Sequence, residues 1–127
     1  MFEKKELSEC EEVIMKAVWD AGEDISIPDL IAVLRERYGK DYQRTTVVTF
    51  LTRLASKDYV QTYRKGRLSY AHPLKSEEEY KYYLAGRDLD FWFRGKVSNY
   101  VSSLLKGRGI SEEEKDKIRG MLDECDD

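Results

Sequence analysis

The chain has 127 residues, of which 41% are hydrophobic and 37% are charged, a composition typical of a charge-rich globular protein with one domain or with one small domain and an appendage. No apolar run approaches the roughly 18 residues that a membrane-spanning helix needs, and the first residues lack the apolar core of a signal peptide, so we expect a cytoplasmic protein. The two cysteines, Cys10 and Cys125, lie far apart without metal-ligand spacing, which fits a reducing compartment.

The net charge of −3 conceals a strong segregation of charge along the chain. Residues 1–39 contain 5 Lys and Arg against 10 Asp and Glu, net −5; residues 40–75 contain 8 against 2, net +6; residues 76–127 contain 9 against 13, net −4. Nucleic-acid affinity depends on the local field at the contact surface rather than on the total charge. The basic central segment therefore favours a nucleic-acid-binding surface over a solvated face of mixed charge.

Two amphipathic helices are predicted before the basic segment. Ser8 and Glu11 have the spacing of a capping box, which opens a first helix that ends at Ala21-Gly22. Ser26 caps a second helix with proline in its first turn, and Gly39 ends it. Because only a short link separates this helix from the next, the order of elements is that of a helix-turn-helix.

The third predicted helix spans about residues 44–57. Val47, Phe50, Leu51 and Leu54 recur at three- and four-residue intervals and form its buried side. Arginine can read guanine or contact phosphate, and threonine offers a hydroxyl and a methyl group to base edges. An ordinary core helix with outward threonines of no special role is the alternative. The residues that the exposed N-terminal turn offers to DNA are Arg44, Thr45, Val48 and Thr49.

A basic β-hairpin is predicted directly after this helix. Residues 60–64 pair with residues 67–72 around a turn at Lys65-Gly66. A hairpin in this place resembles a wing, which would bring Arg64, Lys65 and Arg67 near phosphates. His72, at the end of the second strand, lacks the further ligands that a zinc site needs, so we expect a structural role for it.

From residue 76 onward the sequence predicts a second, helical domain, so the proposed domains are residues 1–75 and 76–127. Ser76 with Glu79 and Ser111 with Glu114 have capping-box spacing, and Gly86 and Gly95 are expected to interrupt or kink the first long helix. The last helix is expected to have its apolar residues on an inner side. This region is too small to bury its aromatic residues, which predicts a homodimer; folding back onto the first domain is the alternative. The predicted dimerisation residues are Leu89, Phe93, Val97, Tyr100, Val101, Leu104, Ile118, Met121 and Leu122.

Two motifs carry a resemblance to a known family. Residues 45–54 (TTVVTFLTRL) and residues 93–105 (FRGKVSNYVSSLL), in this order of elements, resemble the penicillinase-repressor (BlaI/MecI/CopY-type) family over about residues 7–124. The resemblance implies a mainly α fold with a small β-hairpin wing: a winged helix-turn-helix DNA-binding domain, a C-terminal helical dimerisation domain, and repression of nearby operons. It implies that Thr46 joins the four residues above at bases or adjacent phosphates. It also implies that Arg53 joins the hairpin cations at the DNA backbone.

The chain departs from two branches of that family. The β-lactamase-type repressors are inactivated by a sensor-dependent cut at an Asn-Phe bond, and the corresponding place here is Ser103-Leu104. The copper-responsive branch carries paired Cys-x-Cys motifs at the C-terminus, where this chain has only Cys125. The sequence therefore assigns neither an upstream sensor nor an inducing signal.

Three function classes follow from these patterns. The leading hypothesis is a dimeric transcriptional repressor that binds a palindromic operator in double-stranded DNA through helix 44–57 and hairpin 60–72. The second is a winged-helix protein-interaction module whose same surface binds an acidic partner. An enzyme is not expected, because the sequence contains no Gly-rich phosphate loop and no nucleophile–base signature. We accordingly predict no catalytic residue, no metal ligand and no cofactor.

Overall fold

A computed structural model describes residues 6–125, which form six α-helices and one three-stranded antiparallel sheet. The chain divides into two compact units, unit 1 (Met1–Tyr83) and unit 2 (Leu84–Asp127). The predicted mainly helical class with a small hairpin is confirmed. The elements are α1 (Glu9–Asp20), β1 (Ile25–Ser26), α2 (Ile27–Tyr38), α3 (Arg44–Ser56), β2 (Val60–Lys65), β3 (Leu68–Pro73), α4 (Glu77–Phe93), α5 (Val97–Gly107) and α6 (Glu112–Glu124).

Side-chain caps fix where the first helices begin. The Ser8 hydroxyl accepts a hydrogen bond from the Glu11 amide at 3.2 Å, and the Glu11 carboxylate accepts one from the Ser8 amide at 2.8 Å. The Ser26 hydroxyl caps α2 by accepting from the Asp29 amide at 3.2 Å. Gly39 ends α2 in the left-handed region with φ of 66°, which glycine adopts without a Cβ penalty.

The apolar core of unit 1 lies between its first three helices and the sheet. Each helix buries one face because its apolar residues recur every three or four positions. The turn after α3 carries Asp58 at φ of 65°, and Tyr59 then enters the core. The side chains at the centre of this core are Ile14, Met15, Val18, Leu30, Leu34, Val47, Leu51, Leu54, Tyr59 and Val60.

The sheet has the strand order β1-β3-β2. The sequence did not predict β1, which contains two residues and pairs Ile25 with Ala71. Lys65 pairs with Leu68, so the two turn residues are Gly66 and Arg67, and the prediction of a turn at Lys65-Gly66 was wrong by one position. The first turn residue, Gly66, has φ of 65°, as the tight turns that join twisted antiparallel strands require.

The boundary between the units falls within α4, eight residues later than the predicted boundary after residue 75. The physical reason is that the first turns of α4 are bound to the N-terminal part of the chain. Glu77 pairs with Lys16, the Tyr80 hydroxyl donates to Glu12, and Tyr83 donates to Glu6. Tyr80 is buried against other rings of unit 1, Trp19 and Tyr59 among them. These turns therefore complete unit 1.

Unit 2 contains the C-terminal part of α4 together with α5 and α6. The expected interruption at Gly86 was wrong, because α4 continues through this residue; one glycine costs a helix only about 1 kcal/mol. The break falls at Arg94 and Gly95, which have successive positive φ values of 54° and 77°. In α6, Ser111 accepts from the Glu114 amide at 3.2 Å, as its cap position predicts.

The described part of unit 2 contains no fully buried side chain. Phe93 and Tyr100 stack with ring centroids 4.8 Å apart, and this contact joins α4 to α5. Phe91 and Trp92 are 72% and 71% exposed. The apolar residues of α6 were expected on an inner side, but Met121 and Leu122 are exposed within the single chain. Across residues 6–125, no helix combines the length and hydropathy that crossing a membrane requires.

Candidate nucleic-acid interface

The outer face of α3 carries most of the predicted contact residues. Its inner residues Val47, Leu51 and Leu54 are buried, which holds the opposite side toward solvent. The predicted residues on the solvent side are Arg44, Thr45, Val48, Thr49 and Arg53, whereas Thr46 is half-buried at the edge of the face.

Two threonines on this face bind the backbone of their own helix. The Thr49 hydroxyl donates to the Thr45 carbonyl and the Thr52 hydroxyl donates to the Val48 carbonyl, both at 2.9 Å. Such bonds to the preceding turn fix the side-chain rotamer. Since the hydroxyl proton is already used, each threonine presents a methyl group and a hydrogen-bond acceptor to the outside. The sequence alone did not predict these hydrogen bonds of the threonine hydroxyls.

Aromatic packing supports Arg53 at the other end of the face. Its guanidinium carbon lies 5.6 Å from the centroid of the Phe50 ring, within the range of a cation–π contact. The Tyr42 ring also packs on Phe50, with centroids 5.8 Å apart, and its hydroxyl donates to the Cys10 sulfur at 3.3 Å. Phe50 thus contacts both Arg53 and the segment that precedes α3.

The hairpin presents the second group of predicted residues. Arg64, Lys65 and Arg67 are all exposed around the turn, and the Arg64 Nε donates to the Gly66 carbonyl at 3.3 Å. Tyr63 lies opposite Tyr70, and the two rings stack across the ribbon with centroids 5.6 Å apart. The stacked pair stiffens the ribbon below the cationic turn.

The cations of α3 and the hairpin are not neutralised by the rest of the described chain. Within residues 6–125, no carboxylate lies within 4.0 Å of the charged groups of Arg44, Arg53, Arg64, Lys65 or Arg67. Several cations outside this surface do form such pairs, namely Lys16, Arg37, Lys81, Arg87, Lys115, Lys117 and Arg119. The positive field of the surface is therefore available to an external anion.

Two lysines of the basic segment instead serve the fold. Lys57 pairs with the buried Glu11 at 2.7 Å, and Lys75 donates to the Asp58 carbonyl at 2.9 Å. Burial of the Glu11 carboxyl acts to raise its pKa. The hydrogen bonds from Lys57 and Ser8, together with the Lys57 charge, outweigh that effect, and the net result is a lowered pKa. The net charge of the segment thus overstates the charge available for binding.

An acid that sequence reasoning did not single out lies at the base of the hairpin. The Asp24 carboxylate accepts from the Tyr63 hydroxyl at 2.6 Å and contacts His72 Nδ1 at 2.7 Å. The hydrogen bond from Tyr63, followed by the contact with His72, lowers the pKa of Asp24. His72 thus takes part in a hydrogen-bond network, and residues 6–125 contain no group of three or more potential metal ligands.

The predicted dimerisation residues lie on a separate surface, in unit 2. Val97, Leu104, Met121 and Leu122 are exposed, and the other five are partly exposed. Leu104, Ile110 and Ile118 also line an open cavity of about 530 Å³ between α5 and α6. Phe91 and Trp92, two of the aromatic residues from which the dimer was predicted, are exposed in this unit but are not among the nine predicted contact residues.

The comparisons with known proteins agree with this architecture. The sequence pattern of the penicillinase repressor family matches residues 7–124, a span that takes in both units. The chain belongs to this family. The penicillinase-repressor resemblance read from residues 45–54 and 93–105 is thereby confirmed.

Individual similar proteins and one solved structure show the degree of similarity. The methicillin resistance regulatory protein MecI of Staphylococcus aureus (strain N315) is 21% identical over 117 residues, which are 92% of this chain and 93% of that protein. The MecI protein of Staphylococcus epidermidis gives the same values. The solution structure of the DNA-binding domain of the repressor BlaI matches with a TM-score of 0.52 and 25% identity, over 63% of this chain and 94% of that chain. The expected winged-helix fold is confirmed.

Proposed function

We propose that this penicillinase-repressor family member is a dimeric transcriptional repressor that binds a palindromic operator through α3 and the β2–β3 hairpin. The observation that carries the proposal is the exposed cationic surface of α3 and the hairpin, which no carboxylate of the described chain neutralises. The names of similar proteins, a methicillin resistance regulator and a repressor's DNA-binding domain, support the same function.

The two parts of the surface would have different roles on DNA. In winged helix-turn-helix proteins the recognition helix enters the major groove. The N-terminal turn of α3, with Arg44 and Thr45, would meet bases and adjacent phosphates there, and the methyl groups of Val48 and Thr49 suit a thymine methyl. The hairpin cations would contact phosphates, which position the protein without reading sequence.

Unit 2 would supply the dimer contact. Its apolar residues are exposed in the single chain, and a second copy would cover the surface that includes Leu104 and Trp92. A two-fold dimer presents two α3 helices to half-sites about one helical turn, roughly 34 Å, apart. This arrangement matches a palindrome.

The experiment that tests the function is a fluorescence-anisotropy titration with duplex DNA from around the protein's own gene, followed by footprinting. We expect dissociation constants of about 10 nM or tighter for the operator, and binding that weakens steeply with salt because counterions are released. Scrambled DNA of the same length is the control. Binding that is insensitive to salt, or equal on both duplexes, would contradict the proposal.

Two variants separate the proposed roles. Lys65→Ala should weaken binding to all sequences alike and reduce the salt dependence by about one phosphate contact per protomer. Thr49→Ala should change the preference among single-base operator variants by about 1 kcal/mol. Lys115→Ala, in the ion pair with Glu112 on α6, is the control. An identical loss on every duplex for the first two variants would refute the assignment of roles.

A further inference from the structure

A single carboxylate, that of Asp24, bonds to side chains of both strands of the hairpin. One oxygen of Asp24 accepts from the Tyr63 hydroxyl of β2 at 2.6 Å, and the other lies 2.7 Å from His72 Nδ1 of β3. Tyr63 pairs with Tyr70, and His72 is two residues further along β3, so both partners project from the same face of the ribbon. Asp24 thus binds both strands at once.

Backbone pairing explains how a loop acid reaches these two side chains. Asp24 directly precedes β1, and Ile25 of β1 pairs with Ala71 of β3. This pairing brings residue 24 alongside His72, while the ring of Tyr63 extends over the neighbouring strand. The cationic residues Arg64, Lys65 and Arg67 follow Tyr63 in the chain, so a constraint on Tyr63 acts close to the hairpin turn.

We propose that Asp24 is a positioning residue for DNA binding, which holds the hairpin in the orientation that brings its cations to phosphates. This inference rests on the proposed function. Asp24 itself makes no DNA contact in this scheme. It acts through Tyr63 and His72, by restricting the motion of a two-stranded ribbon that otherwise projects into solvent with an exposed turn.

The sign of the expected effect distinguishes positioning from simple electrostatics. A carboxylate near a DNA-binding surface repels phosphates, so removing its charge should tighten binding if Asp24 had no other role. If Asp24 positions the hairpin, removing it should weaken binding despite the more favourable net charge. The neighbouring Glu23 is exposed and provides a matched acid for comparison.

The experiment compares Asp24→Ala with Glu23→Ala in the full chain by salt-dependent anisotropy. We expect Asp24→Ala to weaken binding roughly 5- to 10-fold on every duplex and to lower the salt slope, because hairpin–phosphate contacts are lost. The base preferences that depend on Thr49 should not change. Glu23→Ala should bind as tightly as the parent chain or tighter. Equal or tighter binding by Asp24→Ala would overturn the proposal.

A double-mutant cycle tests whether Asp24 acts through the hairpin. In an Arg64→Ala/Lys65→Ala/Arg67→Ala background the positioned cations are absent, so Asp24→Ala should cause no further loss of affinity. A full additional loss would overturn the proposal. Thermal unfolding of each variant shows whether unit 1 stays folded, and Tyr63→Phe, which removes only one of the two contacts, should give a smaller loss in the same direction.

Amide hydrogen exchange tests the inference without DNA. Asp24→Ala should speed exchange of the hairpin amides selectively while the core amides of α3 stay protected. If the parent chain failed to bind DNA, the proposed function would fall, and this measurement would still decide whether Asp24 restrains the hairpin. Unchanged hairpin protection would overturn the positioning role even if DNA binding were established.

Discussion

Unit 1 and unit 2 are both built from amphipathic helices, but only unit 1 buries its apolar residues within the chain. In unit 1, three helices and a sheet enclose side chains such as Leu34 and Leu54 completely. In the described part of unit 2, two aromatic side chains are more than two-thirds exposed and none is fully buried. Apolar area of this size is stabilising only when removed from water. The contrast is between a closed core in unit 1 and an exposed apolar surface on unit 2, which the proposed dimer would cover.

The largest expected effect on stability comes from replacing a core leucine of unit 1 by alanine, and the same replacement in unit 2 is the comparison. Leu54→Ala leaves a cavity in a closed core and should lower the free energy of unfolding of unit 1 by about 2–5 kcal/mol. Leu104→Ala, at a residue 42% exposed, should leave that transition nearly unchanged. Trp19 fluorescence in a Trp92→Phe background reports on unit 1 alone. A comparable loss from both variants would show that the two units share one core.

A charge on the exposed apolar surface of unit 2 should weaken the proposed dimer without unfolding unit 1. Leu104→Glu should weaken self-association by about 100-fold, roughly 2.7 kcal/mol, because the carboxylate would have to be desolvated at the interface. Sedimentation equilibrium measures the dissociation constant. Asn99→Glu adds the same charge to the polar side of α5 and should have little effect. Unaltered association of Leu104→Glu would place the dimer contact elsewhere.

The smallest expected effect concerns the buried pair in unit 1. Glu11→Gln should destabilise unit 1 by about 1–3 kcal/mol near neutral pH, since Lys57 loses its charged partner. The pKa of Glu11 is lowered by folding, so its contribution is present above the unfolded-state pKa of about 4.3 and is lost as the pH falls through the folded-state pKa.

Urea denaturation at several pH values checks this dependence. The stability difference between the parent chain and Glu11→Gln should shrink below about pH 4.3. Glu9→Gln, an exposed acid on the same helix, should show a much smaller difference at every pH. If the stability difference between the parent chain and Glu11→Gln stayed constant at acidic pH, the charge of Glu11 would not be what stabilises unit 1.

Features that depend on local chemistry could be predicted from the sequence. Ser8, Ser26, Ser76 and Ser111 each accept a backbone hydrogen bond at the helix start that their spacing predicted. The apolar period of α3 correctly placed Val47, Leu51 and Leu54 on the buried face, whereas Phe50, also expected there, is half-buried. These predictions succeed because a cap or a helical face is decided by residues within one or two turns of each other.

Features that depend on distant partners could not be predicted. The two residues of β1 form a strand only because β3 lies beside them, 46 positions later in the chain. Asp24 is an isolated acid in a loop, and its partners Tyr63 and His72 lie 39 and 48 residues away. The one-residue error at the hairpin turn has the same origin, since the register is set by pairing along both strands.

The pairing of Ile25 with Ala71 has a consequence for how the protein is made. Unit 1 cannot close its sheet until the chain as far as Ala71 has left the ribosome, and Tyr80 and Tyr83 must follow to complete its packing. Domains generally fold as units during synthesis, N-terminal first. A nascent chain would therefore complete unit 1 before unit 2 has been fully translated. The apolar surface of unit 2 would then emerge from the ribosome on a chain whose unit 1 is already folded, and in the proposed dimer a second copy would cover it.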